Sequence, residues 1–402
     1  MKKYFRKLIE RLIEGLLLIS GTVTSITVLL IVFFLFKEGA KLFDQTPVEN
    51  GIVIAVNENN SVKEITGEQI KRVFDQEITN WKELGGANDS IILFRMDDIG
   101  KYYSDEEIGE NFEFLPSRIN ELVVKTPGII GFFSDKYLAT GFQGHLLPIA
   151  KITLSKFLKG KEWFPTAQPA AQLGVMPLIL GTLWVSIVAI LIALPLGLAT
   201  AIYMAEIAND KVRRILKPMI ELLSGIPSVV YGFFGLVVIV PLIQEMFNLP
   251  VGESGLAGSV ILGIMALPTI ITISEDAIRT TPRAMKEASL ALGATQWQTI
   301  YRVIIPYSIS GISAAAILGI GRAIGETMAV LMVTGNAAVI PHSILEPLRT
   351  IPATIAAELG EAPQGGLHFK ALFALGCILF VITLVINLVV DLISYKKKYN
   401  KI

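Results

Sequence analysis

Long apolar stretches alternate with polar, charge-bearing loops along this chain, and their lengths predict six membrane-spanning helices. A spanning helix needs about 20 mostly apolar residues. Six segments meet that length, near residues 15–36, 178–205, 221–247, 255–274, 308–333 and 371–394. The first is longer than the apolar core of a secretory signal, and Lys37-Glu38-Gly39 makes a poor cleavage site, so it reads as a retained span. Residues 48–150 break the pattern with short apolar runs set among polar, turn-rich stretches. Ile52-Val53-Ile54-Ala55 and Ile91-Ile92-Leu93-Phe94 read as short buried strands. Thr66 with Gln69 three residues on is a capping box, opening a helix through Phe74. Gly85-Gly86 and Asn88-Asp89 read as turns.

Composition agrees with a membrane protein. The chain has 402 residues, 52% hydrophobic and 17% charged, with a mean hydropathy of +0.59. Soluble domains carry about 25% charged residues. The formal net charge of zero argues against a general nucleic-acid binder. Cys377 is the one cysteine, and His145, His342 and His368 are scattered, so neither a disulfide framework nor a metal site is expected.

The placement of lysine and arginine says more than their sum. Lys2, Lys3, Arg6, Lys7 and Arg11 precede the first span; Lys211, Arg213, Arg214 and Lys217 follow the second. Arg279, Arg283, Lys286 and Arg302 follow the fourth, and Lys396, Lys397, Lys398 and Lys401 follow the sixth. A six-span path puts all four groups on one side, which the positive-inside rule assigns to the cytoplasm. Both termini are then cytoplasmic, and residues 48–150 lie outside the cell membrane.

Three stretches carry candidate chemistry. Glu287-Ala288-Ser289, then Gly293, then Pro306, make a polar helix–turn–helix between two apolar spans on the cytoplasmic side. In the third span, Ser224-Gly225-Ile226-Pro227-Ser228 should break the helix, because proline removes a backbone donor. Pro195 and Pro268 predict similar breaks in the second and fourth spans. In the fifth span, Arg322 and Glu326 stand at i and i+4 of an apolar helix, followed by Thr327. That spacing lets them share a face and pair. An arginine there costs at least about 2.5–3.5 kcal/mol on insertion scales, so such groups usually face a bundle interior or a watery path. Two roles fit: Arg322 lines an anion path with Glu326 holding it, or the two form an ion pair that fixes packing. Gly321 and Gly325 add a small-xxx-small spacing suited to close helix approach.

With the polar helix–turn–helix between them, Leu223-Ser224-Gly225-Ile226-Pro227-Ser228 through Gly235 and Gly321-Arg322-Ala323-Ile324-Gly325-Glu326-Thr327-Met328 resemble permease subunits of the phosphate ABC importer, the PstC-type subunit in particular. The resemblance covers the first span and residues 157–402. It implies an all-α membrane protein with six transmembrane helices of the ABC importer permease type, and a small α/β extracytoplasmic domain inserted between helices 1 and 2. Residues 1–47 then hold the tail and first helix, 48–150 the insert, and 151–402 the permease core with a coupling segment at 276–306.

The insert itself resembles part of a phosphate-binding protein, through residues 65–74, 78–86, Arg95 and 126–132. Where such proteins follow the arginine with Ser, Gly and Thr donors, this chain has Met96-Asp97-Asp98-Ile99-Gly100-Lys101. Two carboxylates repel an anion, so the insert reads as a docking or structural domain that has lost its ligand site. The residues themselves suggest an anion path at Arg322, Glu326, Thr327, Ser224 and Ser228 and a gate or hinge at Gly225, Pro227, Gly321 and Gly325, and the family implies ATPase coupling at Glu287, Ala288, Ser289, Gly293 and Pro306. It also implies a second PstA-type permease, a dimer of PstB-type ATPases and a soluble or lipid-anchored PstS-type binding protein. The chain has no Gly-x-x-x-x-Gly-Lys-Ser/Thr loop, so ATP is used by the partner ATPase, and this subunit is expected to have no catalytic residue, cofactor or metal. Importers of sulfate, molybdate or tungstate are the nearest alternative, then an ion-coupled secondary anion transporter.

Overall fold

The computed structural model describes the backbone of residues 2–109 and 111–399; Lys401 of the basic tail lies outside the described residues. Among the described residues, six helical stretches are long and apolar enough to cross a membrane: Arg11–Asp44, Met176–Ile207, Ser228–Phe247, Gly255–Arg279, Gln296–Gly325 and Leu367–Val390. The first is carried by α1 (Lys2–Ala40).

After it the chain builds a small mixed sheet. Its elements are β1 (Ile52–Val56), α2 (Gly67–Phe74), β2 (Ile92–Arg95), α3 (Asp105–Ile108), α4 (Leu115–Lys125), β3 (Ile129–Ser134) and β4 (His145–Leu146). The strand order is β2-β3-β1-β4, with β2 parallel to β3 and the other pairs antiparallel. Strand residues alternate between faces, which gives the sheet two cores. Ile54, Val56 and Ile130 pack with Ile70, Val73 and Phe74 of α2. Ala55, Ile129 and Phe133 pack with Ile119, Leu122 and Val123 of α4. The capping box forms as read: Thr66 accepts from the Gln69 N–H, and the Gln69 side chain accepts from the Thr66 N–H.

Packing carries this unit beyond residue 150. Val48 and Ala170 share the α2-side core, and a Cβ on Gly67 would come within 2.7 Å of Pro47 Cγ. α5 (Leu154–Lys159), β5 (Trp163–Phe164) and β6 (Gln172–Leu173) form a collar between the sheet domain and the spans. Phe157, Trp163 and Leu173 of the collar pack with Leu42 and with Ala371, Leu372 and Leu375 of the last span.

The rest is helical: α6 (Met176–Ile202), α7 (Asp210–Ser224), α8 (Ser228–Phe234), α9 (Val240–Phe247), α10 (Gly255–Arg279), α11 (Arg283–Ala291), α12 (Gln296–Thr299), α13 (Ile305–Gly325), α14 (Met328–Val333), α15 (Ile351–Glu358) and α16 (Leu367–Tyr399). α10 is the central helix and packs on both α6 and α13. Glycines set those contacts: a Cβ on Gly197 would meet Ile270 Cγ2 at 2.7 Å, and one on Gly319 would meet Ile270 Cγ1 at 2.9 Å. Small residues of this kind let spanning helices approach closely.

Two predicted spans are shorter than their hydropathy suggests. The third starts at Ser228, because Gly225-Ile226-Pro227 ends α7 and Pro227 becomes the N-cap of α8. The fifth stops at Gly325, and Glu326 and Thr327 separate it from α14. Conversely, α6 and α10 run straight through Pro195 and Pro268. There the packing of two long helices outweighs one lost backbone hydrogen bond.

Candidate functional site

The polar segment after α10 folds into an elbow. Pro282 begins α11, which carries Glu287, Ala288 and Ser289. The helix closes as the N–H groups of Leu292, Gly293 and Ala294 donate to the carbonyls of Ala288 (3.1 Å), Leu290 (2.9 Å) and Ser289 (3.2 Å). Gly293 has φ +86 and open space where a Cβ would lie; this left-handed terminus is the conformation glycine supplies at least strain. Thr295 then caps α12 in a further capping box, with Gln298. Pro306 falls in the first turn of α13, directly after the π-helical turn Ile300–Ile304 that joins α12 to α13 without a break.

The two arms of the elbow are tied together. The hydroxyls of Ser289 and Thr299 share a hydrogen bond at 2.9 Å, and those of Thr281 and Ser308 share one at 3.2 Å. Ser289 therefore fastens the bend. The outer surface of the elbow is apolar: Leu292 is 89% and Trp297 64% exposed, with Met285 and Leu290 exposed beside them. Glu287 and Ala288 are exposed on the same short helix.

Two carboxylates that sequence reasoning missed tie down this end of the bundle, and one of them reaches the elbow. Glu275 of α10 is 1% exposed, with Arg213 Nη2 at 2.8 Å, Arg279 Nη1 at 3.6 Å and Lys217 Nζ at 3.7 Å. Glu206, in the π-helical turn Tyr203–Ile207 after α6, meets Lys286 Nζ at 2.5 Å. The only signal in the sequence is a carboxylate at the end of each apolar run, facing basic loops.

The second region surrounds the two helix breaks. Tyr231 Oη donates to the Leu223 carbonyl at 2.8 Å and so bridges α7 and α8 across Gly225 and Pro227. α8 packs on α14 so closely that a Cβ on Gly232 would lie 2.7 Å from Met332 Sδ and 3.0 Å from Ala329 Cα. Arg322 is half-buried in the last turn of α13.

The predicted Arg322–Glu326 pair does not form. The helix ends between them, and Glu326 Oε1 instead accepts from the Ala329 N–H at 3.4 Å. Thr327 is the N-terminal flank of α14, and its carbonyl accepts from the Leu331 N–H at 2.9 Å. Ser228 opens α8. The Ser224 hydroxyl donates to the Glu221 carbonyl of its own helix at 2.6 Å. Gly321 and Gly325, expected to seat a neighbouring helix, have nothing within 4 Å of a built Cβ.

The sheet domain holds a cavity of about 700 Å³, lined by Phe74, Thr79, Leu93, Arg95, Asp97 and Asp98 among others. Arg95 points its guanidinium at Phe74, with Nη2 3.4 Å from the carbonyl and Cζ 5.2 Å from the ring centre. Asp98 takes the Arg95 N–H at 3.3 Å and the Lys101 ammonium at 2.6 Å. The hydrogen bond from Lys101 holds the Asp98 carboxyl below the usual carboxylate range.

Residues 193–399 match the family of binding-protein-dependent transport system inner membrane components, and residues 37–181 match the PBP superfamily domain. The chain is 42% identical over 243 residues to "Probable ABC transporter permease protein YqgH" of Bacillus subtilis (strain 168), covering 60% of this chain and 78% of that protein. It is 41% identical over 249 residues to phosphate transport system permease protein PstC of Mesorhizobium japonicum, covering 57% of this chain and 75% of that one. An ABC-type phosphate transport receptor from Vibrio cholerae is similar over 27% of this chain and 50% of its own, at 24% identity and a TM-score of 0.20. A bundle of six apolar helices with an exposed elbow defines a multi-pass membrane transport component. The chain belongs to the family of binding-protein-dependent transport system inner membrane components.

Proposed function

We propose that this chain is the translocation subunit of an ATP-driven phosphate importer, forming part of the anion path and receiving force at the elbow from a separate ATPase. The observation that carries the reading is the elbow. A membrane protein gains nothing by holding Leu292 and Trp297 in water at the end of its spans unless a partner covers them. Phosphate as substrate is supported by relatives named phosphate transport system permease protein PstC, at 34–41% identity. Arg322 suits the path because a guanidinium binds an oxyanion through two parallel hydrogen bonds.

In this reading the elbow and both termini are cytoplasmic, on the basic side of the bundle. The sheet domain is extracytoplasmic. A second permease, an ATPase dimer and a phosphate-binding protein complete the assembly. Gly225, Pro227, Glu326 and Thr327 form the hinges, with Ser228 and Thr327 beside the path. Gly321 and Gly325, open in the single chain, are free to meet the second permease. The sheet domain acts in docking or structure rather than in holding phosphate, since Asp98 already occupies the donors beside Arg95.

The test is uptake of radiolabelled phosphate into proteoliposomes carrying the full complex, with binding protein outside and ATP supplied to the ATPase face. Uptake should require ATP, survive collapse of ion gradients, and resist excess sulfate or molybdate. Gradient-driven uptake without ATP would sink the reading.

A further inference from the structure

Glu206 grips both arms of the elbow. Its carboxylate meets Lys286 Nζ of α11 at 2.5 Å, and its backbone carbonyl accepts from Gln296 Nε2 of α12 at 3.1 Å. The carbonyl is available because the chain leaves the helix there: Ala208 N–H reaches back to the Tyr203 carbonyl at 2.8 Å, closing a π-helical turn. The ion pair is largely shielded, with side chains 12% and 22% exposed. A pair so placed is weakened by solvent far less than a surface pair.

The elbow has two points at which it could fold independently of the bundle. One is the turn at Thr280–Pro282, and the other is Gly293, with its open left-handed backbone. Covalently it continues only into α10 and α13. Ala201 and Ile202 of α6 already pack on Ile300 and Ile304 beyond α12, and the contacts from Glu206 extend that hold to α11 and the start of α12; α6 in turn packs along the central α10. With them in place, a push on the elbow moves three spans as one body; without them, it is absorbed at the turns.

Resting on the elbow as the ATPase contact, we propose that Glu206 is a positioning residue: through Lys286 and Gln296 it locks the elbow to the second span, making ATPase motion productive. The experiment compares phosphate moved per ATP hydrolysed, in proteoliposomes holding the full complex, for the wild type, Glu206→Gln, Lys286→Met and the charge swap Glu206→Lys/Lys286→Glu. Each single substitution should lower that ratio about tenfold, within the range by which mutations along a coupling route act, and the swap should restore most of it.

A purely structural role would lower the amount of assembled complex and leave the ratio untouched, and that result overturns the proposal. So does a swap as uncoupled as the single variants. The isosteric Glu206→Gln keeps the Gln296 contact, so the ratio can be read even where Lys286→Met assembles poorly. A wild-type complex without ATP-dependent uptake would instead overturn the ATPase reading, and this proposal with it.

Discussion

Arg322 and Glu326 stand four positions apart, yet a helix end lies between them. α13 stops at Gly325, Glu326 is extended with φ −70 and ψ 135, and its carboxylate turns to the Ala329 N–H. Arg322 makes no ion pair among the described residues, which in the proposed reading leaves its guanidinium donors for an anion in the path. The break also follows a pattern of membrane carriers, whose helices are interrupted where the cargo passes.

Replacing Arg322 with alanine should therefore lower phosphate uptake on the order of 100-fold, equivalent to about 2.7 kcal/mol, with normal amounts of assembled complex. Glu326→Gln should be mild, less than about threefold, because an amide oxygen can still accept the Ala329 N–H. Uptake assays paired with pull-down of the complex check both. If Glu326→Gln proved as damaging as Arg322→Ala, the two side chains would act as a pair after all.

At the elbow, Leu292→Asp and Trp297→Ala should each weaken retention of the ATPase by the tagged chain about 30-fold, the loss expected for removing an apolar anchor worth about 2 kcal/mol. Neither side chain supports the fold of this chain, since both are mostly in water, so the permease should be recovered in normal yield. Normal ATPase retention by both variants would mean that the exposed patch is not the contact.

Much of this was readable from the order of residues, and the remainder fails for physical reasons. Six spans, the capping box at Thr66 and the left-handed Gly293 are local features, set within one or two turns of chain. The break at Pro227 was legible because proline removes a backbone donor, whereas the one at Glu326 was hidden, because continuous hydropathy masks a change of backbone direction. Pro195 and Pro268 show the converse, since packing from another helix decides whether proline interrupts. The carboxylate contacts were out of reach: Glu206 meets Lys286 80 residues away, Arg213 meets Glu275 across 62, and Trp163 meets Glu358 across 195. Only the folded chain brings such groups together.

Glu358 makes a testable knot on the collar side of the bundle. It accepts from Arg349 Nη1 at 2.6 Å and Trp163 Nε1 at 3.0 Å, and its other contact is His368 Nε2 at 2.8 Å. Burial pushes its carboxyl up, but the hydrogen bonds from His368 and Trp163 and the Arg349 charge outweigh that and hold it below the usual range. Glu358→Ala leaves Arg349 half-buried without its partner and should destabilise the chain by about 3 kcal/mol. A carboxyl with a lowered folded pKa contributes stability that is present above its unfolded value and is lost as pH falls through the folded one. The difference in unfolding temperature between wild type and Glu358→Gln should therefore hold from neutral pH down to about pH 5 and close only below about pH 4. A difference that vanished between pH 7 and 5 would contradict this assignment.

The sheet domain should not bind phosphate, because it supplies its own anion. The Asp98 carboxylate already takes the Arg95 N–H and the Lys101 ammonium, and Asp97 adds a second negative charge to the same cavity. At about 4 Å and an effective dielectric near 20, like unit charges oppose each other by about 4 kcal/mol, and by about 1 kcal/mol in open water. Either figure is enough to suppress binding. Isothermal titration of the purified chain with phosphate should give a dissociation constant weaker than about 1 mM, the scale at which binding is worth only about 4 kcal/mol. Asp97→Gly with Asp98→Ser removes both charges and frees Lys101, and should tighten it at least about tenfold. Mild acid should not mimic that change. Lys101 holds the Asp98 carboxyl below its ordinary value, so the side chain stays charged as pH falls from 7 to 5, and the repulsion persists throughout. Micromolar binding by the wild type would show that the acidic turn moves aside for the ligand and would return the domain to the ranks of receptors.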